Sequence, residues 1–168
     1  MDIRMGTPAD AEALAEVVAL CFPAAEAAGK ADFRARLAVY PDHFWLLEED
    51  GRLLAFVNGM VSRQPRITDD LFEDPSRHCP DGPWQLIFGV ATRPECRKQG
   101  LAGRLLRRVI DDARAQGRQG VVLTCKEALI PFYQSFGFEN RGVSNSVHGG
   151  VVWYDMVLEF PPKPDGKS

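Results

Sequence analysis

The stretch CRKQGLAGRLL, Cys96 to Leu106, decides the fold expected of this chain. Two cations precede Gly100, and the leucines that follow repeat with helical spacing. Because glycine lets a backbone approach a ligand closely, the segment predicts a loop that opens into an amphipathic helix. The free amide N–H groups at the start of a helix bind anions. The stretch therefore predicts an anion site built mainly from backbone.

The composition of the chain narrows the class of protein. Its 168 residues fit one domain with one core, and a net charge of -3 argues against a nucleic-acid-binding domain, which is normally basic. The four cysteines form no zinc or redox motif, which predicts no metal site and fits a reducing cytoplasm. The sequence has neither a charged-then-apolar leader nor an apolar run long enough to span a membrane. We therefore expect a cytoplasmic protein that binds a small molecule or a peptide.

The first half of the chain predicts helices followed by a strand hairpin. Thr7 and Asp10 have the spacing of a capping box before a helix that ends near Cys21. A second, looser helical stretch ends at Pro41, because proline cannot continue a helix. Two apolar runs on either side of residues 49–51 then predict a hairpin with a glycine turn.

The second half predicts a crossover of strand, helix and strand. Residues 63–83, rich in proline and acids, are expected to form a long loop. Five elements are predicted after this loop: the strand WQLIFGVAT, the helix that ends at Gly117, the strand GVVLTC, the short helix EALIPFYQSFGF and the last strand GGVVWYDMVLEF. This order predicts an α+β fold with a mixed central sheet of about six to seven strands and about four helices. We expect one domain over residues 1–160 and a polar tail over 161–168.

An R-x-x-G-x-A motif at Arg97, Gly100 and Ala102 joins a strand to an amphipathic helix, and Tyr133 lies in the short helix beyond the next strand. This constellation resembles the GNAT family of acetyl-CoA-dependent N-acetyltransferases over nearly the whole chain. The blocks LTCKEALIPFYQSFGF, GRLLAFVNG and HGGVVWYDM resemble its arylalkylamine branch and that branch's bacterial relatives. The resemblance implies the GNAT fold, acetyl-CoA as cosubstrate without a metal, and a monomer or homodimer.

The resemblance assigns cofactor binding to two adjoining segments. A strand would pair with the pantetheine arm of coenzyme A, and the loop and helix start after it would bind the pyrophosphate. The sequence lacks the glycine patterns of dinucleotide-binding and P-loop folds, which would be the competing explanation of such a loop. Arg93 is expected to add positive charge at this end. The assigned residues are Val90, Ala91 and Thr92 in the strand, and Arg97, Lys98, Gln99, Gly100, Leu101, Ala102 and Gly103 after it.

The resemblance also assigns the chemistry. A backbone N–H near Val90 would stabilise the oxyanion that forms during attack, and Tyr133 would protonate the leaving thiolate unless it is only a core aromatic. Vertebrate relatives have two histidines on the strand before the cofactor loop, where this chain has Leu86 and Phe88. We therefore expect water to relay the amine's proton to backbone carbonyls or to an acid, with His148 as the alternative acceptor.

The resemblance aligns Phe22 and Trp153 with the aromatic residues that enclose the substrate's ring, although both would also suit a core. The acids within residues 69–74 would attract a cationic amine or simply form a solvated loop. We predict acetyl transfer to a primary amine, arylalkylamine-like or polyamine-like, by direct attack in a ternary complex. Two alternatives stay open: acetylation of a protein or peptide, and a catalytically silent domain that binds acyl-CoA.

Overall fold

The structure, a computed structural model, describes residues 1–146 and 148–162, so most of the tail expected at 161–168 lies outside the described residues. The α+β class is confirmed. The helices are α1 (Ala11–Cys21), α2 (Lys30–Val39), α3 (Asp69–Glu73), α4 (Leu101–Ala115) and α5 (Ile130–Gln134). The strands are β1 (Asp2–Met5), β2 (Phe44–Glu49), β3 (Arg52–Asn58), β4 (Val61–Ser62), β5 (Trp84–Ile87), β6 (Gly89–Thr92), β7 (Gly120–Cys125), β8 (Glu139–Val143) and β9 (Tyr154–Glu159).

The strands form two sheets that diverge within one stretch of chain. The first has the order β1-β2-β3-β6 and is antiparallel, and the second has the order β4-β5-β7-β9-β8, with β5 and β7 parallel. The run WQLIFGVAT, expected as one strand, is divided at Phe88. Ile87 pairs with Leu123 of β7. Gly89 pairs with Asn58 of β3 instead, so the chain passes from one sheet to the other at this point.

Helices cover both faces of the sheets and define two apolar clusters. On one face α4 and α5 pack against the sheets, and the stripe expected on α4 is confirmed, since Leu105, Leu106 and Val109 are fully buried. On the other face α1 and α2 pack through residues such as Leu14 and Phe33. In the described ranges no helix has the length and apolar content needed to cross a bilayer.

Caps and turns follow the sequence signals closely. The backbone N–H of Thr7 donates to Asp10 Oδ2 at 2.7 Å, as the capping box predicts. Gly117 has a φ of 79° just beyond the end of α4, a conformation that favours glycine, and Gly137 has a φ of 100° beyond α5. These local signals could be found from the sequence because each depends on residues that are neighbours in the chain.

The structure adds elements that the sequence did not predict. All residues of β8 are exposed, so no alternation of apolar and polar residues marks it as a strand. The two-residue β4 is too short to leave a pattern. The expected loop at 63–83 contains the one-turn helix α3, which begins after Thr68. These elements depend on pairing and packing with distant parts of the chain.

Two histidines, His43 and His78, lie close together in the structure. The ring centroids of His43 and His78 are 5.1 Å apart, and Tyr40 lies 5.0 Å from His78. His43 Nδ1 is hydrogen-bonded to Gln85 at 2.8 Å, and the backbone N–H of Val61 donates to His78 Nδ1 at 3.0 Å. Burial, and then repulsion from His43, lowers the pKa of His78 to about 4. Burial also lowers the pKa of His43.

We expect His78 to make the fold sensitive to acid. Between its ordinary pKa of about 6.5 and its folded value of about 4, the unfolded chain takes up a proton that folded His78 does not bind. Stability is therefore lost as the pH falls through this window. His78→Asn keeps an acceptor for the Val61 amide and removes the titrating ring. In thermal melts followed by circular dichroism, the variant should lose less stability between neutral pH and about pH 4.5 than the wild type. Equal losses would contradict this assignment.

Candidate active site

The divergence of β5 and β6 opens a cleft of about 480 Å³. Within the described residues β6 is the last strand of its sheet, so its outer edge has no partner strand. The pairing of β7 with β5 ends at Leu123, which leaves Thr124 and Cys125 unpaired on that side. Both strands line the cleft. Unpaired strand edges of this kind can bind an extended ligand through its amide groups, as an added strand would be bound.

The cleft brings together predicted site residues from distant parts of the chain. Val90 and Ala91 lie in β6, Tyr133 in α5, Phe22 directly after α1, and Trp153 directly before β9. All of them line the cleft. Strand divergence and the position of α5 produce this arrangement, which joins the residues assigned to the pantetheine arm, the general acid and the acceptor.

The predicted anion loop lies beyond the cleft, after Thr92 at the end of β6. The backbone amides of residues 98–103 have no hydrogen-bond acceptor in the part of the chain that the structure describes. Lys98 and Gly100 have positive φ values of 64° and 78°, which turn the backbone before α4 begins. A Cβ placed on Gly100 would meet no atom within 4 Å, so there is open space above the backbone. Free amides and the positive end of the α4 dipole together form a site that favours an anion.

The sequence predicted that Arg93 adds positive charge to this loop, and this prediction is wrong. Its side chain is buried, its Nε donates to the backbone oxygen of Leu53, and its Nη1 lies 3.1 Å from Glu16. Arg93 therefore connects α1 to β3, and its charge is offset by a carboxylate. The exposed cations at the loop are Arg97 and Lys98.

Tyr133 is buried among aromatic rings, with Phe132 at 5.0 Å and Phe138 at 5.9 Å between ring centroids. Burial raises its pKa above the ordinary value, and no hydrogen bond to a described residue offsets this effect. Tyr133 is therefore protonated at neutral pH. Burial also raises the pKa of the neighbouring Cys125 thiol to about 11. A thiolate formed in the same cleft would be poorly stabilised for the same reason, and would readily accept a proton.

Three segments meet over the cleft at Glu26. Lys126 Nζ lies 2.9 Å from Glu26 Oε1, and His148 Nε2 lies 3.0 Å from the backbone oxygen of Glu26. Trp153 Nε1 donates to the backbone oxygen of His148 at 2.7 Å. Because a carbonyl oxygen can only accept, Nε2 of neutral His148 carries the proton and Nδ1 keeps a lone pair. His148 stacks on Phe72 with ring centroids 5.1 Å apart and lines the cleft.

The acidic loop contributes to the cleft in part. Asp69 and Glu73 line it, and Asp69 Oδ1 accepts a hydrogen bond from Ser146 Oγ. Asp70 instead lies 3.3 Å from Arg77 on the surface, so it belongs to the solvated part of the loop. No cluster of three or more metal-ligating side chains is found in residues 1–146 and 148–162.

The positions that hold histidines in the vertebrate relatives have different surroundings. Leu86 is fully buried in the core, whereas Phe88 lines the cleft and packs 4.6 Å from Phe72 between ring centroids. Sequence reasoning missed several polar residues of the cleft, among them Glu26, Lys126, Arg36 and Asn58. Arg36 could have been noticed, because it interrupts the apolar face that Phe33 and Leu37 form on α2. Asn58 left no such signal.

A family model described as the acetyltransferase (GNAT) family matches residues 11–138. The chain therefore belongs to the GNAT acetyltransferases, enzymes that transfer an acyl group from acetyl-CoA.

Curated relatives and solved structures agree with this membership. The chain is 31% identical to serotonin N-acetyltransferase of Mesocricetus auratus over 109 residues, which are 64% of this chain and 51% of that protein. It is 30% identical to glucosamine 6-phosphate N-acetyltransferase 1 of Oryza sativa subsp. japonica, over 75% of this chain and 71% of the relative. The chain thus spans about half of the first relative's length. The GNAT-like decarboxylase GphF in complex with isobutyryl-CoA has a TM-score of 0.78 at 19% identity, covering 95% of this chain and 99% of the other, which supports the fold alone.

We expect Gly100→Leu to abolish binding of coenzyme A, because the new side chain would fill the space above the loop amides. Gly117→Leu is the matched control. Both glycines have a φ near 78°, and a Cβ at either would meet no atom within 4 Å, so backbone strain is equal. Calorimetry should show no measurable binding for Gly100→Leu and unchanged affinity for Gly117→Leu. Unchanged affinity in a folded Gly100→Leu variant would reject the loop as the phosphate site.

Proposed function

We propose that this chain transfers the acetyl group of acetyl-CoA to a primary amine of a small molecule, by direct attack in a ternary complex. The observation that carries the proposal is the cleft between the unpaired edges of β6 and β7, with Tyr133 in its wall. The pantetheine arm would lie along Val90, Ala91 and Thr92. The pyrophosphate would bind the free amides of residues 98–103, which follow directly in the chain.

The reaction needs two kinds of stabilisation, and the cleft offers a group for each. Attack of the amine on the thioester places negative charge on the carbonyl oxygen, which a backbone N–H near Val90 would stabilise. The tetrahedral intermediate then expels the thiolate of coenzyme A, and Tyr133 would donate a proton to it. The raised pKa of Tyr133 keeps that proton available at neutral pH.

The attacking amine must also lose a proton. The sequence predicted a water relay to backbone carbonyls or to an acid, with His148 as the alternative acceptor. The position of His148 in the cleft wall supports the alternative, a relay that ends on this residue. Its Nε2 is hydrogen-bonded to the backbone of Glu26, which leaves the lone pair of Nδ1 as the proton acceptor.

Contacts across the cleft support a small acceptor over a protein. Glu26 contacts Lys126 and His148, which connects three segments at the cleft, and Phe22 and Trp153 also line it. A protein substrate needs an open groove for an extended chain.

We propose the reducing cytoplasm as the compartment of this protein, since all four cysteines are free thiols.

Release of free thiol from acetyl-CoA tests the function directly. The purified chain should release coenzyme A upon addition of an amine from a panel of aromatic amines, polyamines, amino acids and aminoglycosides. Tight binding of acetyl-CoA without thiol release for any amine or peptide would favour the silent acyl-CoA-binding domain. Turnover with peptides alone would favour protein acetylation.

Tyr133→Phe should lower kcat by about a hundredfold or more, because it keeps the ring and removes the proton donor. Affinity for coenzyme A should be nearly unchanged. Tyr40→Phe is the control, since Tyr40 is also buried and its hydroxyl has no hydrogen-bond partner among the described residues, but it does not line the cleft. If Tyr133→Phe kept wild-type turnover under conditions where chemistry limits the rate, Tyr133 would be a core residue only.

His148→Gln should lower kcat/KM at neutral pH by about tenfold or more, and the loss should shrink at alkaline pH, where the free amine no longer needs a base. The measurement is a pH profile of kcat/KM for wild type and variant. A variant profile parallel to that of the wild type would instead assign proton removal to water and backbone carbonyls, without an imidazole.

A further inference from the structure

A buried arginine lines the acceptor side of the cleft. Arg36 lies in α2 and is 6% exposed. Its guanidinium carbon lies 5.5 Å from the ring centroid of Phe33 and 5.6 Å from that of Phe88. Phe88 directly precedes Gly89 and Val90, where the thioester is expected. A cation is therefore held between two rings, close to the point where the sheets diverge.

The charge of Arg36 has no carboxylate partner among the described residues. Its only hydrogen bond there runs from Nη2 to the backbone oxygen of Phe72 at 3.3 Å, and Nε has no acceptor. Asp32, one turn earlier in α2, accepts from the backbone N–H of Gly29; its charge acts on Arg36 from beyond ion-pair distance. A guanidinium stays protonated at neutral pH, so this burial cannot be relieved by loss of the proton. A buried charge without a partner is strongly destabilising.

A second unpartnered donor lies on the same side of the cleft. Asn58 is 2% exposed and lines the cleft, and its Nδ2 has no hydrogen-bond acceptor in the part of the chain that the structure describes. Asn58 and Phe56 occupy alternate positions of β3 and so face the same way. Phe56 packs 5.9 Å from Phe33, the ring beside Arg36. Two buried donors thus point to a ligand that supplies at least two acceptor oxygens.

We propose that Arg36 and Asn58 bind a carboxylate group of the acceptor, so that the substrate is an amino acid or another amine with a carboxylate near its amino group. This inference rests on the proposed acetyl transfer. A planar carboxylate matches the fork of a guanidinium, and the acids Asp69 and Glu73 in the same cleft suit the ammonium of a zwitterion. They would repel a phosphate dianion, which makes a phosphorylated amine the poorer match.

The alternative is that Arg36 only connects α2 to α3, the helix that contains Phe72. Its bond to the Phe72 backbone and its ring contacts would then contribute to stability and nothing else. The two roles differ in what they predict for substrate preference. If the role is structural, replacing Arg36 lowers the melting temperature and changes kcat/KM by the same factor for every acceptor. If Arg36 binds the substrate, the replacement changes the ratio of kcat/KM between acceptors with and without a carboxylate.

The first experiment compares acceptors that differ only in the carboxylate, using the wild-type chain. The pairs are phenylalanine with phenethylamine, tryptophan with tryptamine, and methionine with 3-(methylthio)propylamine. For at least one pair the acid should have a kcat/KM about tenfold or more higher. Phenylalaninamide controls for amine acidity, since its ammonium is more acidic than that of phenylalanine but it lacks the negative charge. Preference for the decarboxylated amine in every pair, or for glucosamine 6-phosphate over all the acids, would overturn the proposal.

The second experiment removes the guanidinium. Arg36→Met keeps the length of the side chain and should bring the acid-to-amine ratio of kcat/KM close to one, chiefly through a higher KM for the acid. Arg36→Lys should restore part of the ratio, because the charge returns without the fork. Arg34→Met, on the exposed side of the same helix, should leave the ratio unchanged. An unchanged ratio in a folded Arg36→Met variant would assign Arg36 to structure alone.

A binding measurement separates this proposal from the proposed function. The anion 3-phenylpropanoate has a carboxylate but no amine, so it cannot be acetylated. In the presence of coenzyme A it should raise the melting temperature of the wild type, and do so less for Arg36→Met. If thiol release fails for every amine while this shift depends on Arg36, the carboxylate site stands and acetyl transfer falls. If amines are acetylated and 3-phenylpropanoate has no effect at millimolar concentration, the carboxylate site falls and acetyl transfer stands. Should Arg36→Met fail to fold, the wild-type acceptor pairs decide.

Discussion

The exchange of strand partners at Phe88 is the constraint on which the rest of the structure depends. Up to Ile87 the chain pairs with β7, and from Gly89 onward it pairs with β3. Neither sheet continues across this point, because the backbone N–H and C=O groups on one edge of a strand can pair with only one neighbouring strand. The unpaired edges that remain on β6 and β7 form the cleft, and the loop and helix that follow β6 are placed at its end.

The cleft concentrates polar groups that the protein itself leaves unsatisfied. Among the described residues, the buried atoms Arg36 Nε and Asn58 Nδ2 lack acceptors, although buried polar groups are almost always hydrogen-bonded. Beyond the end of the cleft, the amides of residues 98–103 also lack acceptors in the described ranges. Stability alone would favour apolar residues at the two buried positions. Unsatisfied donors at the wall of a cavity are what a ligand-binding site requires, since the ligand supplies the missing acceptors.

The surroundings of the cleft also set its proton chemistry. Burial raises the pKa of Tyr133, and it also raises the pKa of the Cys125 thiol to about 11, so this cleft favours the protonated form of both a phenol and a thiol. The contacts of Glu26 with Lys126 and His148 connect the segment after α1 with the segments after β7 and before β9, so three distant parts of the chain meet at the cleft.

The sequence by itself determined the features that depend on neighbours in the chain. The R-x-x-G-x-A loop before α4, the capping box at Thr7, the hairpin turn and the helix containing Tyr133 could each be found from spacing or from family resemblance. Tertiary structure decided the division of WQLIFGVAT, the exposed strand β8, the pairing of Arg93 with Glu16, and the placement of Arg36, Asn58 and His148 in one cleft. The physical reason is that strand pairing and burial depend on residues far apart in the chain, and no local pattern records which of them will meet.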